Sequence, residues 1–123
     1  MVEYNLHLSK KCARCRNLDM ETADTHFPDG YLSPNVKDKH GNQYANVISY
    51  STAETVKFVR WIQQQDFYPN TTIVLTGDHW SMDQKFFETV DPTYRRAIFN
   101  LILNAPVKAE KAYGREFAPF DFY

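Results

Sequence analysis

The sequence predicts an α/β fold, a mostly parallel sheet flanked by helices, and three stretches carry that reading. Tyr44, Val47, Ile48, Phe58, Val59 and Ile62, with Ser51 and Thr55 on the same line, repeat at helical spacing and form one buried stripe. Residues 71–76 are a short β-branched run between turn signals, the mark of a buried central strand ending at Gly77. Residues 97–104 are a second apolar run of strand length. With one more strand ahead of the helix, the order strand, helix, strand, connection, strand calls for a largely parallel sheet with right-handed crossovers.

The first of these strands is expected within residues 16–22. Leu18, Met20 and Thr22 alternate there with Asp19 and Glu21, and Pro28, Asp29 and Gly30 then force a turn. His26 therefore falls just past a strand end. Residues 32–42 are polar, hold Pro34 and Gly41 and have no periodicity, so they are expected to form a surface loop. The helix is expected over residues 44–65, although Ser51 and Glu54 also fit a capping box that would start it later. Tyr68, Pro69 and Asn70 stop it. Beyond the central strand, residues 84–96 are charged and aromatic, and Asp91 and Pro92 suit the start of a short helical turn. Residues 117–123, aromatic with Pro119 and Asp121, have the character of a segment entering a helix. The expectation is a single domain over residues 1–123 that is a fragment of a larger catalytic domain.

Size and charge narrow the function classes. A chain of 123 residues, 43% hydrophobic and 24% charged, suits one core and not two. Its formal net charge of -1 gives no footprint for nucleic acid or an anionic membrane. No apolar stretch approaches the roughly 20 residues that cross a bilayer, and residues 1–7 lack the pattern of a signal peptide, so the chain as it stands is expected to be soluble. Cys12 and Cys15 stand among Lys10, Lys11, Arg14 and Arg16. A redox pair or half a zinc site uses this spacing, but no second pair completes a site, and chance spacing is the default.

The chemistry points to Asp78 and His79. They follow the predicted central strand through Gly77, and open α/β sheets place their ligand crevices at such strand ends. Within a strand, neighbouring side chains face opposite ways, whereas on the loop that follows both can turn toward one ion. An oxygen and a nitrogen ligand suit zinc or manganese better than calcium. The alternative is that Asp78 caps the next turn and His79 is a surface residue. His26 is a second candidate, an imidazole able to hydrogen-bond a phosphate or sulfate oxygen, or a structural loop histidine. Asp83 offers a carboxylate to a substrate hydroxyl or to a ligand, or is a solvated charge, as are Lys85, Arg95, Arg96 and Arg115. Trp80, Phe86, Phe87 and Tyr94 wall a pocket or pack the core, and His7 and His40 are surface residues.

Taken in order, residues 24–30, the helix of residues 44–65, residues 67–79 and the closing Phe120, Asp121 and Phe122 resemble the later part of the sulfatase-like domain of phosphoglycerol transferases. That family, which includes lipoteichoic acid synthases, lies within the alkaline phosphatase superfamily, so the resemblance implies a partial alkaline phosphatase/sulfatase-like fold. It implies that Asp78 and His79 bind a divalent metal ion, manganese or zinc, or magnesium. It further implies that His26 contacts the substrate's phosphoglycerol group, and, more loosely, that Asp83 contacts substrate. The partners implied are a phosphatidylglycerol-type lipid donor and a glycan acceptor, with the parent anchored in the membrane and its catalytic domain periplasmic or extracellular. The family's nucleophilic threonine lies upstream of the matching part, and Thr22, Thr25, Thr71 and Thr72 are not in its motif. Rival readings are a sulfatase, phosphodiesterase or phosphoethanolamine transferase of the same superfamily, and a non-catalytic binding module. A domain cut from a larger sheet would also expose an apolar sheet edge through which a homo-oligomer forms.

Overall fold

A computed structural model describes residues 2–5, 18–111 and 113–114. Cys12, Cys15, His7, Arg115 and the closing aromatic segment therefore lie outside the described residues. The elements are β1 (Val2–Asn5), β2 (Asp19–Thr22), α1 (Gln43–Gln63), a 3-10 turn (Tyr68–Asn70), β3 (Ile73–Thr76), α2 (Gln84–Phe87) and β4 (Asn100–Leu103). Among the described residues, no helix is long and apolar enough to cross a membrane.

The longest element, α1, begins just after Asn42, which is itself not helical. Its extended backbone (φ -140°, ψ 125°) lets its side-chain oxygen accept the Ala45 N–H at 2.9 Å, which satisfies one of the donors a helix leaves open at its start. The later start at Ser51 is not used. Ser51 is buried mid-helix, and its carbonyl accepts the Thr55 hydroxyl at 2.9 Å. Tyr44, Val47, Ser51 and Val59 form the buried line of α1, as their spacing predicts.

Asn46 fastens the preceding loop to this helix. Its Oδ1 accepts the N–H groups of Lys39 (2.8 Å) and His40 (3.1 Å), and its Nδ2 donates to Asp38 Oδ1 (2.9 Å). The Gly41 N–H also donates to Asp38 Oδ1 at 2.9 Å. The segment at residues 32–42 is thus a surface loop, held by one buried amide.

The expected largely parallel sheet is not what the described strands form. They make two separate two-stranded sheets, β1 with β2 and β3 with β4, and both pairs are antiparallel. The register gives the reason for the second pair: Thr76 lies opposite Asn100, so the connection leaves and returns at the same end of the sheet. A crossover to a parallel strand has to carry the chain to the opposite end. A β-branched run announces a strand but carries no sign of its direction. A mixed α/β class holds, with β3, β4 and α1 where the apolar patterns place them.

The burial pattern of β3 is an alternation, with Ile73 buried and Val74 45% exposed. Asn104, in the left-handed region at φ 53°, ends β4. Its Nδ2 donates to the carbonyls of Tyr68 and Thr71, both at 2.9 Å, and its own carbonyl accepts the Thr72 hydroxyl. The entry to β3 and the exit from β4 are tied together at that end, and the opposite end carries the loop with Asp78 and His79.

Candidate functional site

At the exit from β3, the Gly77 N–H still reaches back to the Phe99 carbonyl at 3.0 Å. A Cβ on Gly77 would meet Ile98 Cγ2 at 3.2 Å, tighter than an ordinary van der Waals contact, so a glycine suits this close passage. Asp78 and His79 follow, with side chains 78% and 59% exposed. Asp78 Oδ1 accepts the His79 N–H at 2.9 Å, which turns the carboxylate toward the imidazole. His79 Nδ1 lies 2.7 Å from the Trp80 carbonyl, and a carbonyl only accepts, so that nitrogen carries the proton.

In the neutral ring Nε2 is then a bare acceptor, 3.3 Å from Asp78 Oδ2. Two acceptors facing each other at this separation call for a cation or a proton between them. Two donors sharing one tetrahedral ion, each about 2.1 Å from it, stand about 3.4 Å apart. The spacing is that of an Asp–imidazolium ion pair and equally that of two ligands of one ion. Among the described residues, no group of three or more His, Cys, Asp or Glu side chains is gathered to hold an ion.

His26 sits in a tight turn packed on α1. Its N–H donates to the Ala23 carbonyl, the Gly30 N–H donates to the His26 carbonyl, and the Tyr31 N–H donates to the Asp24 carbonyl at 2.7 Å. Gly30, at φ +69°, lies against Val47 Cγ1. His26 is exposed, and its Nδ1 meets the Phe27 carbonyl at 2.7 Å, so its free nitrogen is again Nε2. A neutral His26 accepts there. Only the imidazolium can donate through Nε2 to an oxyanion.

The turn carrying His26 and the loop carrying His79 meet through Tyr44, which is 4% exposed. Its hydroxyl donates to the Thr25 carbonyl at 3.1 Å and is 2.7 Å from Ser81 Oγ. Ser81 Oγ also accepts the Asp83 N–H at 3.2 Å, and the Ser81 carbonyl accepts Arg96 Nη2. Arg96 is thus not the solvated charge its sequence context predicts. Its guanidinium carbon stands 3.9 Å from the centroid of Phe87 and 5.3 Å from that of Trp80, in cation–π range of both.

Asp83 is 3% exposed, so it is not a solvated charge either. Its Oδ1 accepts the Phe86 N–H at 3.1 Å and caps α2, and its Oδ2 has no hydrogen-bond partner among the described residues. Phe86 packs edge-on against Tyr44 and Phe87, with centroids 5.3 Å apart in each case. Of the aromatic set, Phe86 is used in packing, Trp80 and Phe87 seat Arg96, and Tyr94 is 60% exposed.

Asp78 and His79 are brought together, and the turn of His26 is joined to their loop through the part-buried hydrogen bonds of Tyr44. Sequence reasoning missed Tyr44, Ser81 and Arg96 as parts of this arrangement. Tyr44 was visible only as one apolar position on the helix stripe.

No family model matches the chain, and no solved structure matches it. Among curated proteins, phosphoglycerol transferase I of Citrobacter koseri is 29% identical over 84 residues, 63% of this chain and 11% of that protein. Phosphoglycerol transferase I of Salmonella arizonae is 26% identical over 87 residues, 66% of this chain and 11% of that protein. That of Escherichia fergusonii is 29% identical over 84 residues, again 63% of this chain and 11% of that protein. The chain spans about 11% of the length of these relatives. The resemblance carried by the sequence motifs is thus met by curated proteins: over 63–66% of its residues this chain is similar to a short stretch of phosphoglycerol transferase I.

Proposed function

We propose that this chain is part of the catalytic site of a metal-dependent phosphoglycerol transferase, with Asp78 and His79 as two of the metal ligands and His26 as a contact to the transferred group. The observation that supports it most is the facing of Asp78 Oδ2 and His79 Nε2 across 3.3 Å, two exposed acceptors at the end of β3. The relatives' name turns this pair toward phosphoglycerol transfer and away from sulfate ester hydrolysis. In the proposal the parent takes a phosphatidylglycerol-type lipid as donor and a cell-envelope glycan as acceptor, on the outer side of the membrane.

A divalent ion, manganese or zinc, would supply charge to lower the pKa of an attacking hydroxyl and to offset charge building on the phosphoryl oxygens. The residues of this chain have simpler duties. Asp78 and His79 hold the ion, and the Trp80 carbonyl keeps the His79 proton on Nδ1 so that Nε2 stays a ligand. His26, as imidazolium, donates from Nε2 to a phosphate oxygen, with the Phe27 carbonyl holding its other nitrogen. Asp83 caps α2 through Oδ1, and with its second oxygen buried it supports the loop and does not meet substrate. The attacking hydroxyl is assigned to none of this chain's threonines.

The test is calorimetric titration of the purified chain with zinc and manganese, beside an Asp78→Ala, His79→Ala double variant. Weak binding that disappears in the double variant is expected. Binding that is unchanged without both side chains would sink the proposal.

A further inference from the structure

We infer that Tyr44 is a positioning residue that sets the turn of His26 against the loop of Asp78 and His79, working through the Ser81 hydroxyl. This inference rests on the reading of those three residues as the metal and phosphate contacts. Its geometry stands apart from that reading.

The protons decide how the link works. A phenol has one hydrogen, and the Thr25 carbonyl can only accept, so the Tyr44 proton goes to Thr25. The 2.7 Å contact must then be made by the Ser81 hydroxyl donating to Tyr44 Oη. Ser81 Oγ in turn accepts the Asp83 N–H. The donors run one way, from Asp83 N–H to Ser81 Oγ, from Ser81 O–H to Tyr44 Oη, and from Tyr44 O–H to the carbonyl beside His26. A chain of donors in one sense polarises each member and favours a single arrangement of the two loops.

The anchor at its centre is stiff. Tyr44 is 4% exposed, stands in the first turn of α1 and packs edge-on against Phe86. The Ser81 carbonyl is held separately by Arg96, which fixes the backbone from which the serine hydroxyl reaches Tyr44. His26 and the pair of Asp78 and His79 are both exposed. The Tyr44 hydroxyl ties the two loops at a set separation, and separation is what an ion on one side and a phosphate contact on the other both require.

The test is a metal-free double-substitution cycle read by backbone amide resonances of the whole chain. Ser81→Ala should shift the amides of Thr25 and His26, far off in sequence, and that shift should be lost when the same substitution is made on Tyr44→Phe. The Tyr44→Phe ring keeps its packing on Phe86. Shifts of equal size in both backgrounds, or no shift at Thr25 and His26 when Ser81→Ala is made alone, would overturn the inference, and the second result needs no Tyr44 variant. Zinc added to the unsubstituted chain then separates this from the functional reading. Failure of zinc to move the His79 ring signals counts against the metal pair and leaves the Tyr44 link standing.

Discussion

Gly30 stands at φ +69°, and a Cβ there would meet the Asp24 carbonyl oxygen at 2.7 Å and Val47 Cγ1 at 2.9 Å. The left-handed backbone and the lack of room act together, because neither a carbonyl nor the fully buried Val47 can move away easily. Gly30→Ala is expected to destabilise the chain by about 1–3 kcal/mol, read as a lower midpoint in urea unfolding. An unchanged midpoint would mean that the turn of His26 is not packed on α1 as described. Asp83 calls for a different comparison. Its Oδ1 caps α2 while Oδ2 lies buried without a partner, so Asp83→Asn can keep the cap, whereas Asp83→Ala removes it. The alanine variant should lose about 0.5–2 kcal/mol, and the asparagine variant less, in the same unfolding experiment.

Of the elements, α1 was the most legible, because its stripe of Tyr44, Val47, Ser51 and Val59 needs only the periodicity of one segment. Its start was less legible, since Ser51 with Glu54 looks like a capping box and only burial shows that Ser51 is interior. The cap belongs to Asn42, and Asn42→Ala should lower helix content and cost about 1 kcal/mol, measured by circular dichroism through a thermal melt. The loop before α1 adds a pH dependence. The Asn46 side chain, and then the Gly41 N–H, hold the Asp38 carboxyl below its usual range. A group whose pKa falls on folding contributes stability that is present above its unfolded value, about 3.9, and lost as pH falls through the lower folded value. The Tm of the chain should therefore exceed that of Asp38→Ala at neutral pH, and the gap should close on acidification below that range. A gap that stays constant down to pH about 2 would show that Asp38 does not contribute through its charge.

At the scale of the molecule, what could be read from the sequence was local, and what could not was the joining of distant segments. Asp78 and His79 were legible because they follow one strand directly. Tyr44, Ser81 and Arg96 were not, since their contacts span 37 residues from Tyr44 to Ser81 and 15 from Ser81 to Arg96. Strand direction failed for the same reason, for the register of β3 on β4 is a property of the pair. That pairing leaves a surface with consequences. Val74 and Ile102 are cross-strand partners on one face, 45% and 38% exposed. Among the described residues each sheet has two strands only, so the outer edges of β3 and β4 meet no further strand. An apolar pair beside open edges is a template for a second chain. The weight-average mass in sedimentation equilibrium should rise with concentration, and Ile102→Lys should suppress the rise by placing a charge on the exposed face. A mass that stays that of one chain throughout would remove the expected homo-oligomer, and a rise that Ile102→Lys leaves untouched would place the association on another surface.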